Sequence, residues 1–192
     1  IARSLRSNVE VSFLCGLLHQ IGRPVILQAL QEILGARGVP PAAGELDALQ
    51  ARTEAASAKS GPRFAKRGQL LPRERLGLLL DAGAPFLQLS TLAGFLLDVA
   101  DPAKSVPGGG CVAGVGSIAG TLCMVVADDS GIEAGALQPM GLEKFQRAQQ
   151  IALENRLPFV HLVESAGANL LRYRVEDFIN GGSHYCRLAK LS

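Results

Sequence analysis

The sequence predicts an α/β fold built from ββα units and preceded by a helical segment. Residues 111–127 consist of two runs of strand-forming residues around an Ala-Gly turn, and residues 141–155 carry apolar side chains at helical spacing. A further strand-like run, residues 157–163, leads into a turn of small residues. Because strand, strand, helix, strand and turn follow one another as in a repeating ββα unit, we expect a sheet covered by helices.

Composition narrows the class of protein. The chain has 192 residues, 48% of them hydrophobic, and a net charge of +2, which suits one globular core and gives no bias toward nucleic acid. It has no Trp and little aromatic content for base stacking. Its apolar runs are far shorter than the roughly 20 residues that cross a bilayer. We therefore expect neither a nucleic-acid partner nor a membrane span.

The cysteines indicate a reducing compartment. The chain contains Cys15, Cys111, Cys123 and Cys186, without a Cys-x-x-Cys pair, so neither a zinc ribbon nor a redox pair is indicated. We expect reduced thiols that serve as packing residues, with Cys111 and Cys123 near each other across the hairpin, and a cytoplasmic or mitochondrial matrix location.

The first part of the chain reads as a helical segment and linker, residues 1–44, of unassigned role. We separate it from a second domain, residues 45–192, because Pro40 and Pro41 mark a boundary. The chain starts at Ile1 without Met and stops in a helix-like run. We interpret it as part of a longer protein.

A surface helix is predicted from Glu45 to Ser60, and a basic stretch follows it. A short helix is expected to open at Pro72 and to end before Gly83. Six basic residues lie in or beside this span: Lys59, Arg63, Lys66, Arg67, Arg73 and Arg75. They form either a solvated charged face or an electrostatic approach path for a phosphorylated ligand.

The clearest β signal is the hairpin. Cys111–Ile118 and Thr121–Ala127 read as its strands. The second strand lacks polar alternation, so both of its faces should be covered. Gly114 and Gly116 lie inside the first strand rather than after it, which argues against a nucleotide-binding loop.

A helix from about Gly141 to Asn155 should cover the sheet, because its apolar residues share one face. Strand 157–163 then delivers the chain into a small-residue turn, where backbone N–H groups can approach a ligand closely. Within that strand we interpret His161 as a locally bonded residue. Ser183 is expected to be the N-cap of a last helix.

Several sequence blocks identify a family, because they occur together and in one order. They are Arg67 to Arg75, Pro85 to Ser90, Leu92 to Gly94, Val106 to Gly110, Gly114 to Gly116, Arg147 to Gln149, Asn155 to Pro158 and Glu164 to Asn169. From about Ala65 onward the chain resembles the carboxyltransferase (beta) subunit of biotin-dependent acyl-CoA carboxylases, nearest the methylcrotonyl-CoA and geranyl-CoA branch.

The resemblance implies a crotonase-like ββα superhelix, of which this chain would hold a partial N-terminal carboxyltransferase domain. It also implies transfer of CO₂ from carboxybiotin, carried on a carrier domain, to an acyl-CoA. The implied partners are a biotin carboxyl carrier, a biotin carboxylase domain or subunit, and a homo-oligomer whose subunits share each active site. No metal is expected in this domain.

The resemblance also implies a site. The hard step is to stabilise an enolate oxygen, for which paired backbone N–H donors are the expected device. Ala166 and Gly167 would be the catalytic donor pair. The residues expected to bind the substrate are Ser165, Ala168, Asn169, Gly135 and Ala136.

Some positions depart from the family pattern. Ala166 replaces the first residue of the usual Gly-Gly pair, and Glu133-Ala134 stands where Lys-Gly is usual. Leu137 and Gln138 replace a common aromatic pair, and Leu171 replaces a proline. We therefore carry no acyl-chain preference over from the family.

A serine hydrolase is one alternative. Residues 163–167 half-match a nucleophile elbow around Ser165, and the other two residues of a triad, Asp177 and His184, would follow in hydrolase order. The elbow needs a small residue where Val163 stands, and we expect Asp177 and His184 on one helix.

Two further alternatives keep the fold. A non-catalytic carboxyltransferase-like scaffold subunit is suggested by Ala166 and by the altered residues 128–138. The second alternative is another crotonase-fold acyl-CoA enzyme, such as a hydratase or decarboxylase. Dependence on biotin would distinguish a carboxylase from it.

Overall fold

The computed structural model describes residues 45–192, and residues 49–192 form one compact unit. The helices predicted within residues 1–34 lie outside the described residues. The helices are α1 (Glu45–Ala58), α2 (Gly61–Ala65), α3 (Pro72–Leu79), α4 (Pro139–Asn155), α5 (Val175–Gly181) and α6 (Ser183–Leu191), with a 3₁₀ turn at Glu133–Gly135. The strands are β1 (Leu87–Leu89), β2 (Cys111–Ile118), β3 (Thr121–Asp128) and β4 (Phe159–Leu162).

The sheet has the order β1-β2-β3-β4. β1 and β2 are antiparallel, β2 and β3 form the predicted hairpin, and β4 runs parallel to β3. Parallel pairing of β3 and β4 requires a crossover, which α4 provides. The ββα unit predicted from the sequence is thereby confirmed.

Both faces of β3 are covered, as its lack of alternation predicts. Met124 and Val126 pack in a core cluster with Phe145 and other residues of α4. Val125 and Ala127 pack on the opposite side with Leu76 of α3. These buried faces place the carboxyl ends of β3 and β4 firmly beside each other.

The glycines of β2 make room for an element that the sequence did not predict. A Cβ at Gly114 would lie 2.5 Å from the ring of Phe86 and from the Leu87 carbonyl oxygen, and one at Gly116 would lie 2.7 Å from the side chain of Leu80. The absence of side chains at these positions lets Phe86 and β1 lie close against the hairpin.

Two local expectations are wrong. Cys111 and Cys123 are free, buried thiols in separate clusters on the two faces of the sheet, because the hairpin register places Cys111 opposite Asp128 instead. Ser183 is the first residue of α6 rather than its N-cap: Gly182 holds the cap position, and the Ser183 hydroxyl donates to the Asn180 carbonyl.

The start of α4 is held against the glycine loop before β2. A Cβ at Gly109 would lie 2.6 Å from Gly141 Cα, so this close approach of two backbones requires glycine. The buried Lys144 of α4 donates hydrogen bonds to the carbonyls of Gly108 and Cys111. Burial lowers the pKa of the Lys144 ammonium.

Candidate functional site

The structure brings the two predicted site segments together. Residues 165–169, after β4, lie beside residues 134–138, after β3. Their backbones pair through three N–H donors: Ala166 to the Ala134 carbonyl at 3.1 Å, Leu137 to the Gly167 carbonyl at 2.9 Å, and Asn169 to the Leu137 carbonyl at 3.1 Å. The Ser165 hydroxyl adds a 2.6 Å hydrogen bond to the Gly135 carbonyl. The predicted substrate-binding residues therefore form one continuous patch.

Asp128, the last residue of β3, holds in place the segment of chain that follows β4. It is 3% exposed and accepts hydrogen bonds of 3.0 Å from the Glu164 N–H and from His161 Nε2. Glu164 forms an ion pair with Arg75 at 2.9 Å. A buried carboxylate must be hydrogen-bonded, and here its donors are the residues that lead into the loop.

His161 has the local role that its strand position indicates. Besides its bond to Asp128, its ring lies 4.7 Å from the ring of Phe145, measured between centroids. It joins β4 to β3 and α4.

Neither of the two predicted donor N–H groups is free in this structure. The Ala166 N–H donates to Ala134, as above, and the Gly167 N–H donates to the Ser165 hydroxyl at 2.9 Å. A bond to a hydroxyl is more easily exchanged for a ligand than one inside a paired backbone. Gly167 is also exposed, and a Cβ built on it would meet no atom within 4 Å.

The conformations of these residues explain which of them need glycine. Gly167 has φ of 90°, and Gly135 has φ of 72° with a hypothetical Cβ only 2.3 Å from the Glu164 carbonyl oxygen. Ala166 is not among the described residues with positive φ, whereas Ala134 is, at 56°. A side chain is therefore suited to position 166 and strained at position 134.

An ionic and amide network fastens the same two segments, and it involves a residue that sequence reasoning missed. Arg172 forms an ion pair with Glu133 at 3.0 Å and donates to the Gln138 side-chain oxygen at 2.9 Å. Gln138 donates in turn to Glu133, and the Tyr173 hydroxyl donates to the Gln138 carbonyl. Only the reversed charge at Glu133 could have signalled a cationic partner.

The six basic residues of the predicted approach path divide into two groups. Arg73 is paired with Glu54 at 3.2 Å, and Arg75 with Glu164. The other four lie on the surface on and around α2: Lys59, Arg63, Lys66 and Arg67. Two members of the predicted approach path thus have structural roles, and four present their charge to solvent.

The residues of the hydrolase alternative have other partners. The Ser165 hydroxyl is bonded to Gly135 and Gly167, Asp177 accepts from the Arg174 N–H at the start of α5, and His184 Nδ1 accepts from Gln149 in the contact between α6 and α4. Asp177 and His184 lie on two helices rather than on the one we expected. Among residues 45–192, no hydrogen bond joins these three into a triad.

Two further features are absent from the described part of the chain. It contains no cluster of three or more His, Cys, Asp or Glu side chains arranged to hold a metal ion. None of its helices is long and apolar enough to span a bilayer.

Comparisons with known proteins cover most of the described region. The family model of the carboxyl transferase domain matches residues 63–192, which lie inside the predicted second domain. A probable methylcrotonoyl-CoA carboxylase beta chain of Drosophila melanogaster is 51% identical over 114 residues, covering 59% of this chain and 19% of that protein. A probable biotin-dependent acyl-coenzyme A carboxylase beta2 subunit of Mycobacterium tuberculosis is 42% identical over 153 residues, covering 78% of this chain and 28% of that protein.

Solved structures agree with the fold. The beta subunit of P. aeruginosa geranyl-CoA carboxylase matches with a TM-score of 0.71 and 44% identity, covering 86% of this chain and 30% of that one. Transcarboxylase 12S matches with a TM-score of 0.65 at 22% identity, covering 80% of this chain and 31% of that one. At this identity the match shows a likeness of fold alone. The predicted crotonase-like, partial carboxyltransferase fold is thereby confirmed.

The chain spans 19% to 31% of the length of these four proteins. The family model nevertheless covers more than half of the chain. Together with relatives that are carboxylase beta chains and with the matching fold, it shows that the chain belongs to the carboxyl transferase domain family.

Proposed function

We propose that this chain carries part of the carboxyltransferase site of a biotin-dependent acyl-CoA carboxylase. The reaction would transfer CO₂ from carboxybiotin to the enolate carbon of an acyl-CoA. Carboxybiotin supplies the CO₂. Once the CO₂ has left, the ureido nitrogen of biotin can take the substrate proton. The contribution of the protein is then to hold and orient the acyl-CoA and to stabilise the negative charge that develops on its thioester oxygen.

The observation that carries the proposal is the meeting of residues 134–138 with residues 165–169. The resemblance implies substrate-binding residues in each segment, Gly135 and Ala136 in the first and Ser165, Ala168 and Asn169 in the second, although the segments lie about thirty residues apart in the sequence. Their pairing leaves Ser165, Ala168 and Gly167 at the surface of one patch, with Gly135 and Ala136 beneath or beside them.

Within this patch, Gly167 is the donor best placed to serve an oxyanion. Its N–H is bonded to the Ser165 hydroxyl, which an oxyanion would replace as acceptor. Ala166 remains the second candidate donor, but its N–H would have to leave the Ala134 carbonyl. Binding therefore requires a small rearrangement of the loop, in which the Ser165 hydroxyl gives up the Gly167 N–H and, if it turns toward the ligand, its bond to the Gly135 carbonyl as well.

The surface cations suit the other end of the proposed substrate. Coenzyme A carries several negative charges on its phosphates, and a cluster of exposed lysine and arginine side chains raises the local concentration of such an anion. Lys59, Arg63, Lys66 and Arg67 form such a cluster on and around α2. We assign them to long-range attraction rather than to a fixed phosphate site.

The proposal includes partners and a location. The M. tuberculosis relative is named a biotin-dependent carboxylase subunit, the Drosophila relative is named mitochondrial, and transcarboxylase 12S is described as a hexamer assembly. We extend to this protein a biotin carboxyl carrier, a biotin carboxylase domain or subunit, an oligomer with a shared active site, and a cytoplasmic or mitochondrial matrix location.

The test is acyl-CoA-dependent release of CO₂ from carboxybiotin, or the reverse decarboxylation, by the full-length protein. Activity that needs both biotin and an acyl-CoA is the expected result. Turnover of acyl-CoA without biotin would instead indicate another crotonase-fold enzyme. Inactivity with short and long acyl-CoAs alike would favour the non-catalytic scaffold.

A further inference from the structure

The two segments of the candidate site are held together by few apolar contacts. Ser165, Ala166, Gly167 and Ala168 are exposed, and Leu171 is 98% exposed. A loop with little buried apolar surface opens locally at small cost. Its position therefore depends on its polar contacts with residues 133–138.

Arg172 adds a charged side-chain contact to the backbone pairing of the two segments. Its guanidinium reaches across to Glu133 Oε1 at 3.0 Å through one nitrogen and to Gln138 Oε1 at 2.9 Å through another. A planar guanidinium that contacts two fixed acceptors holds their relative geometry better than a lysine could. Arg172 is separated from both acceptors by more than thirty residues, so it ties the end of one loop to the other.

The acceptors are themselves fixed. The side-chain amide of Gln138 donates hydrogen bonds to the Glu133 carboxylate and to the Ala136 carbonyl. The backbone carbonyl of Gln138 accepts a hydrogen bond of 3.2 Å from the Tyr173 hydroxyl. Burial, with the nearby carboxylates of Asp177 and Asp98, raises the pKa of Tyr173 to about 12. Tyr173 thus remains a hydroxyl donor at neutral pH.

The pair also sets the charge of the patch. An uncompensated carboxylate at position 133 would repel a thioester enolate or a phosphate. With Arg172 against it, the two charges cancel locally, so residues 133–138 present no net repulsion. The effect of the pair on the fold should be small, because both side chains are partly exposed.

We propose that Arg172, through Glu133 and Gln138, is a positioning residue that holds residues 165–169 in the conformation that binds acyl-CoA. This inference rests on the proposed function. It assigns to Arg172 an effect on acyl-CoA affinity, and it predicts that the effect depends on the pair rather than on either charge alone.

The experiment uses the full-length protein with its biotin-bearing partner. Three variants are compared with the wild type: Arg172→Met, Glu133→Gln, and the double variant Glu133→Arg/Arg172→Glu, which exchanges the two charges. We expect Arg172→Met and Glu133→Gln each to raise the KM for acyl-CoA about three- to tenfold, with kcat within about twofold, since an exposed pair with an added charge-assisted bond is of this size. The exchange should recover at least part of the loss. Arg174→Met is the matched control, because the ion-pair partner of Arg174 among residues 45–192 is the nearby Asp177, at 3.7 Å, and it should leave KM unchanged.

A second readout separates this inference from the proposed function. Amide hydrogen exchange of residues 165–170 should be faster in Arg172→Met than in the wild type and unchanged in Arg174→Met, whether or not the protein turns over an acyl-CoA. Unchanged exchange in Arg172→Met would overturn the inference. So would a lower KM in Glu133→Gln, which would show that the carboxylate acts by repulsion alone. Inactivity of the wild type would count against the proposed function, and the exchange experiment would still decide the role of Arg172 in holding the loop.

Discussion

Ala134 has a left-handed backbone conformation, with φ of 56°, at a position where the family usually carries glycine. Ala166, the other alanine that replaces a family glycine, does not share this conformation. The two substitutions therefore differ physically although they look alike in sequence. At position 134 the Cβ costs conformational energy, whereas at position 166 the backbone accommodates it.

Ala134→Gly is expected to stabilise the chain by about 1 kcal/mol, because it removes the cost of a left-handed alanine, partly offset by the entropy of glycine. Unfolding in urea measures the change. Ala136→Gly is the matched control, since Ala136 has φ of −62° and should only lose stability. Equal shifts in the two variants would contradict the interpretation of Ala134.

Ala166→Gly should keep carboxyl transfer within about twofold of the wild type. The substitution retains the N–H of residue 166 and requires no change of backbone conformation, while glycine adds about 0.5 to 1 kcal/mol of entropic cost to ordering the loop. Steady-state rates with a fixed acyl-CoA provide the measurement. A collapse of activity would show that the alanine methyl itself takes part in the site.

The elements show where sequence patterns suffice. The hairpin could be placed nearly to the residue because its Ala-Gly turn and strand-forming runs are local, and α4 followed from helical spacing. β1 has only three residues and exists because Gly114 and Gly116 let Phe86 approach β2, a non-local cause. Arg172 escaped prediction for the same reason: no spacing rule links it to Glu133.

The contact between α6 and α4 gives an element-scale prediction about pH. His184 Nδ1 lies 3.0 Å from Gln149 Nε2, where the neutral ring accepts a hydrogen bond, and its ring lies 4.7 Å from that of Phe145. Burial, with the nearby His161 and Arg187, lowers the pKa of His184 below its usual 6.5. The unfolded chain therefore binds the proton more readily than the folded one between these two pKa values.

It follows that the stability supplied by neutral His184 is fully present above pH 6.5, the unfolded value, and is lost as the pH falls through the lower folded value. Replacing His184 with Gln should flatten the dependence of the unfolding free energy on pH in this window. Urea unfolding at a series of pH values gives the comparison. If the two chains lose stability in parallel, His184 is not the titrating group.

At the scale of the whole molecule, the described surface combines charge and apolar side chains. Beyond β4, seven large hydrophobic residues are at least half exposed: Val163, Leu170, Leu171, Val175, Phe178, Ile179 and Tyr185. Exposed apolar groups of this number usually mark surfaces that other protein covers. We therefore expect further protein to cover this face of the molecule.

The family could be predicted from the sequence because its motifs are local blocks in a fixed order. The two segments that the resemblance implies as a site lie together in the structure. The hydrogen bonds that occupy the Ala166 and Gly167 N–H groups could not, since both depend on how the loops pack. Because its N–H is bonded to a hydroxyl rather than to a paired backbone carbonyl, we propose Gly167 as the first donor to test.

The most direct test of the proposed carboxyltransferase site is transfer of labelled CO₂ from carboxybiotin to acyl-CoA by the full-length protein and by its Gly167→Val variant. Valine meets no neighbouring atom at Cβ but disfavours φ of 90°, so it should redirect the N–H without unfolding the chain, which circular dichroism checks. We expect biotin- and acyl-CoA-dependent labelling by the wild type and a loss of at least about tenfold in kcat for the variant, since one oxyanion donor typically contributes about 10² to 10³. Equal rates for the two proteins, or no labelled product from the wild type with any acyl-CoA, would contradict the assignment.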